Sequence, residues 1–193
     1  MNKELSTVYL AQHGETDWSL SRRCAGTTDL PLTEYGENSA RRLGERLSKL
    51  TFARVFTSPL ERTGKRCELA GCGSVAELDT DLVEWNYGQY EGRWTAEIRA
   101  ERSGWDLFRH GCASGETPKQ ITARADRVIA RVRTIPGDVL LFTCGQFIRV
   151  LADRWLGLGP ISKSPSLMLN TARLCALGYE IDLRPASDPI LER

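Results

Sequence analysis

The sequence predicts an α/β fold, a three-layer α/β/α sandwich with a mostly parallel sheet covered on both faces. Three observations predict it. Short apolar runs alternate with longer stretches whose apolar residues recur at helical spacing. Two of those runs, at 7–11 and 138–143, are apolar at successive positions rather than alternate ones, as strands buried on both faces are. Each of the two is followed at once by a turn containing glycine. A length of 193 residues fits one domain over 1–193, with a small insertion or lid around 85–116.

The run Thr7-Val8-Tyr9-Leu10-Ala11 is the first strand, and Gln12-His13-Gly14 follows it directly. A loop rich in Ser, Gly, Thr and Pro then extends to Leu32. Thr33 is a good N-cap, with Glu34 and Glu37 in the first turn of the helix it opens. Ala40, Leu43, Leu47 and Leu50 give that helix one apolar face. Residues 53–57 read as a second strand. Ser58-Pro59-Leu60-Glu61 has the pattern of a capping box with Pro at the first helical position, which predicts a helix to about residue 70. Arg62 falls in its first turn, where open backbone N–H groups favour an anion. Residues 78–83 supply a short strand ending at Glu84.

The stretch from 85 to 115 is aromatic and rich in Gly, with a helical segment near 95–102. Thr117-Pro118-Lys119-Gln120 is a second capping box with Pro at the first position. Ile121, Ala125, Val128, Val132 and Ile135 form the stripe of the helix it starts, and Gly137 ends it. After the strand at 138–143 come Cys144-Gly145 and a helix over 146–156. Residues 171–178 supply one more strand, and the polar tail beyond Leu183 is expected to be loosely held.

Charge narrows the function. Twenty-six Lys and Arg against 25 Asp and Glu leave +1, which removes the electrostatic case for a nucleic-acid or membrane-surface binder. No apolar run approaches the roughly 20 residues of a membrane span, so the chain reads as soluble and cytoplasmic. The six cysteines contain no CxxC pair, and with two histidines in all, neither a zinc site nor a disulfide scaffold fits. No metal and no cofactor are expected. Arg41, Arg42, Arg124, Arg127 and Arg131 read as solvated helix faces. The tryptophans at 85, 94, 105 and 155 read as core and pocket walls. His110 reads as structural, with pocket lining as the sharper alternative.

His13 and Cys144 occupy the same kind of position, just after a buried strand and just before a Gly. Ligands of open α/β sheets bind at the carboxyl ends of strands, so the two are expected to converge there with Arg62 nearby. A nucleophile, a cation that orients phosphate and an acid such as Glu84 suit phosphoryl transfer. The string Cys144-Gly-Gln-Phe-Ile-Arg149 has four residues between Cys and Arg, one short of the Cys-x5-Arg loop of the thiol phosphatases.

Gln12-His13-Gly14-Glu15-Thr16 resembles the Arg-His-Gly-Glu-Thr signature of the histidine phosphatase superfamily, which includes the cofactor-dependent phosphoglycerate mutases. The resemblance continues through Pro31-Leu32-Thr33-Glu34-x-Gly36 and Ser58-Pro59-Leu60-Glu61-Arg62-Thr63. It resumes in Leu82-Val83-Glu84-Trp85-Asn86-Tyr87-Gly88, Tyr90-Glu91-Gly92, Gly115-Glu116-Thr117 and Gly145-x-Phe147-Ile148-Arg149. Ordered matches over most of the chain make the resemblance specific, and it points to the acid-phosphatase type with a phosphoglycerate mutase-like fold.

The resemblance implies a role for each matching residue. His13 would accept the phosphoryl group and Glu84 would donate, then accept, the proton. Arg62, Gln12, Cys144, Gly145 and Thr27 (or Thr28 beside it) would surround the phosphate. The implied function is metal-independent hydrolysis of a small phosphorylated molecule through a phosphohistidine. Mutase activity is the weaker implication, and a homodimer is left open. Two positions depart from the family: Gln12 stands where it has Arg, and Cys144 where it has its second His. Ser19 stands where many members have Asn. A glutamine cannot make the charge-assisted pair of a guanidinium, and a thiol is a weak neutral donor. The implied activity is therefore impaired. The alternative is a catalytically dead or inactivated variant that binds phosphorylated ligands without turnover.

Overall fold

The computed structural model describes residues 6–158, 173–179 and 185–188. In chain order its elements are β1 (Val8–Gln12), α1 (Asp17–Leu20), α2 (Glu34–Leu47), β2 (Arg54–Thr57), α3 (Glu61–Leu69), β3 (Ala76–Leu78), α4 (Thr95–Glu101), α5 (Leu107–His110), α6 (Pro118–Val132), β4 (Val139–Thr143), α7 (Gly145–Trp155), β5 (Leu174–Tyr179) and β6 (Pro185–Asp188). Among the described residues the strands form one sheet in the order β3-β2-β4-β1-β5-β6. The first four are mutually parallel, while β5 and β6 join antiparallel.

Alternation along the central strands divides the core in two. Val8 and Leu10 of β1, with Val139 and Leu141 of β4, face the apolar stripes of α6 and α7. Tyr9, Ala11, Leu140 and Phe142 face the other way, against Leu43 and Leu47 of α2 and Cys67 of α3. Both faces of the sheet are thus covered by helices, as the unbroken apolar runs require. The aromatic stretch after β3 packs with α6 and α7, burying Trp85, Tyr87, Tyr90, Ile98 and Trp105 in the same cluster. Trp94 remains exposed. Among the described residues no helix is long and apolar enough to cross a membrane.

Local signals decide where elements start. Thr33 caps α2 by accepting the Gly36 N–H, and Thr117 and Gln120 close the expected capping box with Pro118 at the start of α6. Several expectations need correction. Ser58-Pro59 does not cap α3: the N-cap is Leu60, and Ser58 Oγ accepts the Leu60 N–H instead. Leu50 lies beyond α2 and is exposed. The strand placed at 78–83 is instead β3, ending at Leu78, followed by a 3-10 turn at Thr80–Leu82 capped by Asp79. The loop after β1 contains α1, closed by a box between Thr16 and Ser19. The helix over Ile121 ends at Val132, and Gly137, at φ +102°, belongs to the turn beyond it. In the tail, Pro185–Asp188 pairs with β5 rather than hanging loose. The first residues of the strand expected over 171–178, and the last of the tail, lie outside the described residues.

Candidate active site

The parallel register pairs Gln12 with Thr143, so the residues just beyond, His13 and Cys144, emerge side by side at the carboxyl end of the sheet. The His13 N–H donates to the Thr143 carbonyl at 3.0 Å, carrying the pairing one residue further. The turn beyond His13 packs against α2. A methyl at Gly14 would lie 2.8 Å from the Gly36 carbonyl oxygen, so the close approach requires glycine there.

His13 is buried, and its Nδ1 lies 2.8 Å from the Gly14 carbonyl oxygen. A carbonyl only accepts, so Nδ1 carries the proton and Nε2 keeps its lone pair. Burial first, and the Arg62 guanidinium next, push the imidazole down to about 3. The ring is therefore neutral at ordinary pH.

Arg62 is fully buried in the first turn of α3. Its guanidinium donates to the carbonyls of Gly26 (2.6 Å), Thr28 (3.0 Å) and Ala25 (3.4 Å), fastening the loop after α1 over the site. It also touches the Cys144 thiol, which burial nonetheless pushes up to about 12. Burial thus favours the neutral thiol, the opposite of the depressed pKa that a nucleophilic or redox-sensing cysteine needs.

Glu84 is buried with its carboxylate at the start of α7. Its Oε1 accepts the Trp85 and Phe147 N–H groups at 2.8 and 3.0 Å, and Oε2 accepts the Gln146 N–H at 3.0 Å. Burial raises its pKa, and these N–H groups and Arg62 pull it back. Gln12 is buried beside it, with Nε2 against Gly145: a methyl on that glycine would come within 2.8 Å of the nitrogen.

A cavity of about 150 Å³ opens here, lined by Gln12, His13 and Glu84 together with Ser19, Arg23, Ala25, Tyr87, Gly145, Gln146 and Arg149. The structure brings Gln12, His13, Glu84 and Gly145 to this cavity, with Arg62 and Cys144 next to them but outside its lining. Thr27 does not join them. It is exposed, and its N–H donates to Glu91 Oε1, while Thr28 Oγ1 donates to Glu91 Oε2. His110 is likewise apart, exposed at the end of α5 with its ring against the Asp106 backbone. Among the described residues no group of three or more His, Cys, Asp or Glu could hold a metal.

Sequence reasoning missed two organising residues. Glu91 gathers the N–H groups of Gly26, Thr27 and Tyr87, tying the loop after α1 to the segment after Glu84. Arg124, read as a solvated residue of its helix, is buried. It pairs with Glu116 at 2.7 Å and donates to the carbonyls of Asp81, Val83 and Glu84 at 2.8, 2.6 and 3.3 Å. The signal was there: position 124 is three residues after Ile121, on the buried side of α6.

The family model described as histidine phosphatase superfamily, branch 1, matches residues 8–184. The chain is 36% identical over 181 residues to an acid phosphatase of Mycobacterium tuberculosis, covering 92% of this chain and 88% of that one. It is 34% identical over 190 residues to sedoheptulose 1,7-bisphosphatase of Saccharomyces cerevisiae, covering 82% and 70%. The solved structure of a functionally characterised Mycobacterium tuberculosis open reading frame superposes with a TM-score of 0.88 at 34% identity, over 95% of this chain and 97% of that one.

Proposed function

Because this chain belongs to branch 1 of the histidine phosphatase superfamily, we propose that it hydrolyses the phosphomonoester of a small phosphorylated molecule through a phosphohistidine on His13, without a metal. The state of His13 supports this most directly: Nδ1–H is held by Gly14, and Nε2 is free to attack. In the first step Nε2 bonds to phosphorus, the phosphorus–ester oxygen bond breaks, and the leaving oxygen takes the Glu84 proton. In the second, water bonds to phosphorus, the N–P bond breaks, and the water proton passes to the Glu84 carboxylate. Inorganic phosphate and an alcohol leave, with both side chains restored. The raised pKa of Glu84 is the direction a proton donor needs.

Arg62 and the Gly145 backbone are the phosphate's polar surroundings, with Gln12 adding neutral hydrogen bonds. Neither position 12 nor position 144 carries a charge, so turnover is impaired. One lost donor typically costs about 10²–10³ in rate, and losses within one pocket do not simply multiply. The same two neutral groups favour a second reading, a protein that binds phosphorylated ligands without turnover.

Acid quenching with a labile aryl phosphate separates the readings. Acid-labile phosphate trapped on His13, and absent with turnover from His13→Ala, supports hydrolysis. Phosphate binding with no trapped label supports the second reading, and label on another residue removes His13 from the mechanism.

A further inference from the structure

Two guanidinium groups line the cavity beside His13, Arg23 from the loop after α1 and Arg149 from α7. Among the described residues neither forms an ion pair, whereas Arg93 and Arg124 each pair with a glutamate. The one carboxyl group in the lining, Glu84, is turned to three backbone N–H groups. Gln12 carries no charge, and Arg62, outside the lining, donates to three backbone carbonyls.

Arg23 is fixed from two sides. Its backbone bridges to Trp94 in the segment after β3. Beside that bridge the Cys24 N–H donates to the Arg93 carbonyl at 2.9 Å, and the Gly92 N–H to the Cys24 carbonyl at 2.8 Å. Its guanidinium carbon lies 4.4 Å from the centroid of the Trp94 ring. That indole is itself held, with Nε1 donating to the Ser21 carbonyl at 2.8 Å. A ring face holds a guanidinium by its flat side and takes none of its N–H groups, which lie in the guanidinium plane. Arg149, by contrast, has Nη1 3.5 Å from Gln146 Oε1 on its own helix.

We propose that Arg23 is a phosphate-binding residue: stacked on Trp94, it donates charge-assisted hydrogen bonds to the phosphoryl oxygens and supplies the positive charge that Gln12 does not. The proposal rests on the reading of this cavity as the one in which His13 accepts the phosphoryl group. A cavity of about 150 Å³ holds little beyond a phosphoryl group and its nearest substituents, so a cation in its wall faces the phosphate rather than a distant part of the substrate. Through Arg23 the segment after β3, which supplies the ring, takes part in holding the phosphate.

Calorimetric titration of the full-length protein with inorganic phosphate tests this. Arg23→Gln should bind phosphate about 10-fold more weakly, as loss of a charge-assisted hydrogen bond predicts. The affinity of that variant should also depend less on salt than that of wild type. Arg23→Lys keeps the charge but not the planar fork, and should fall between the two. Arg102→Gln removes the same charge from an exposed residue outside the cavity and should bind as wild type does. An Arg23→Gln affinity equal to that of wild type, or reduced no more than that of Arg102→Gln, overturns the proposal. So does a loss confined to larger phosphate esters, which would place Arg23 against the rest of the substrate. Should the glutamine variant not fold, the lysine variant decides: phosphate binding about 3-fold or more weaker supports the proposal, and wild-type affinity overturns it. If wild type binds phosphate through Arg23 yet never carries label on His13, hydrolysis fails while the proposal stands. If Arg23→Gln binds phosphate and takes up label on His13 as wild type does, the proposal fails while hydrolysis stands.

Discussion

Glu84 Oε2 accepts the backbone N–H of Gln146 at 3.0 Å, so the carboxyl group proposed to move the proton also caps α7. Replacing it with Gln therefore has two separable effects. A glutamine amide presents one acceptor oxygen where the carboxylate accepts three backbone N–H groups on two. Leaving a buried donor unsatisfied costs about 1–3 kcal/mol, which chemical denaturation of Glu84→Gln should show. The rate effect should depend on the leaving group: alkyl phosphates, which need protonation, should lose more than nitrophenyl phosphate. Equal losses on both substrates would mean that Glu84 acts only as the cap.

What the sequence made legible followed from interactions within a few residues. Thr33, and Thr117 with Gln120, satisfy helix donors three residues away, so α2 and α6 start where their strings say. Runs apolar on every residue marked β1 and β4, and with them the positions of His13 and Cys144. The failures needed distant atoms. Ser58-Pro59 has the letters of a cap, but Ser58 N–H donates to the Phe142 carbonyl, carrying the extended backbone past β2. Arg124 looked solvated because its partners, Glu116 and the carbonyls at 81–84, lie outside its own helix. Thr27 is held outside the cavity lining by a contact that the letters around it do not reveal, its N–H donating to Glu91, 64 residues along the chain.

Burial of a neutral His13 ties stability to pH. Its pKa falls from the ordinary 6.5 to about 3 in the folded chain, so between those values the unfolded chain binds a proton that the folded chain refuses. The stability contribution is intact above 6.5 and falls as pH drops toward 3, by about 1.4 kcal/mol per pH unit while the difference is complete. His13→Asn removes this titration, so its urea midpoint should decline less than that of wild type between pH 7 and about 4.5. Parallel declines would show that His13 does not carry this burden.

Arg124→Met tests the brace beneath Glu84. It strands the mostly buried Glu116 carboxylate and three backbone carbonyls. Removing one partner of a buried ion pair typically costs about 3–5 kcal/mol, and a thermal melt should show a loss of that size. Pairing it with Glu116→Gln should cost less than the sum of the two single changes, because the stranded charge is gone. Additive losses would place the two residues in separate networks.

Restoring the two departures tests whether the site is otherwise intact. Gln12→Arg starts from a side chain already beside Gly145 at the cavity wall, so a guanidinium there needs only to extend into open space. Cys144→His is harder, since the thiol is fully buried and touches Arg62. An imidazole must turn toward the cavity, and if it cannot, overpacking should cost about 1–3 kcal/mol. Placed correctly, the two donors should raise turnover by at least about 10², since one donor is typically worth that much. Each single change should recover less than its share, because a phosphate held on one side remains misplaced for attack. Inorganic phosphate affinity should rise in parallel, a readout independent of the substrate. A folded double variant that neither binds phosphate more tightly nor hydrolyses faster would mean that Gln12 and Cys144 belong to a pocket shaped for binding without turnover.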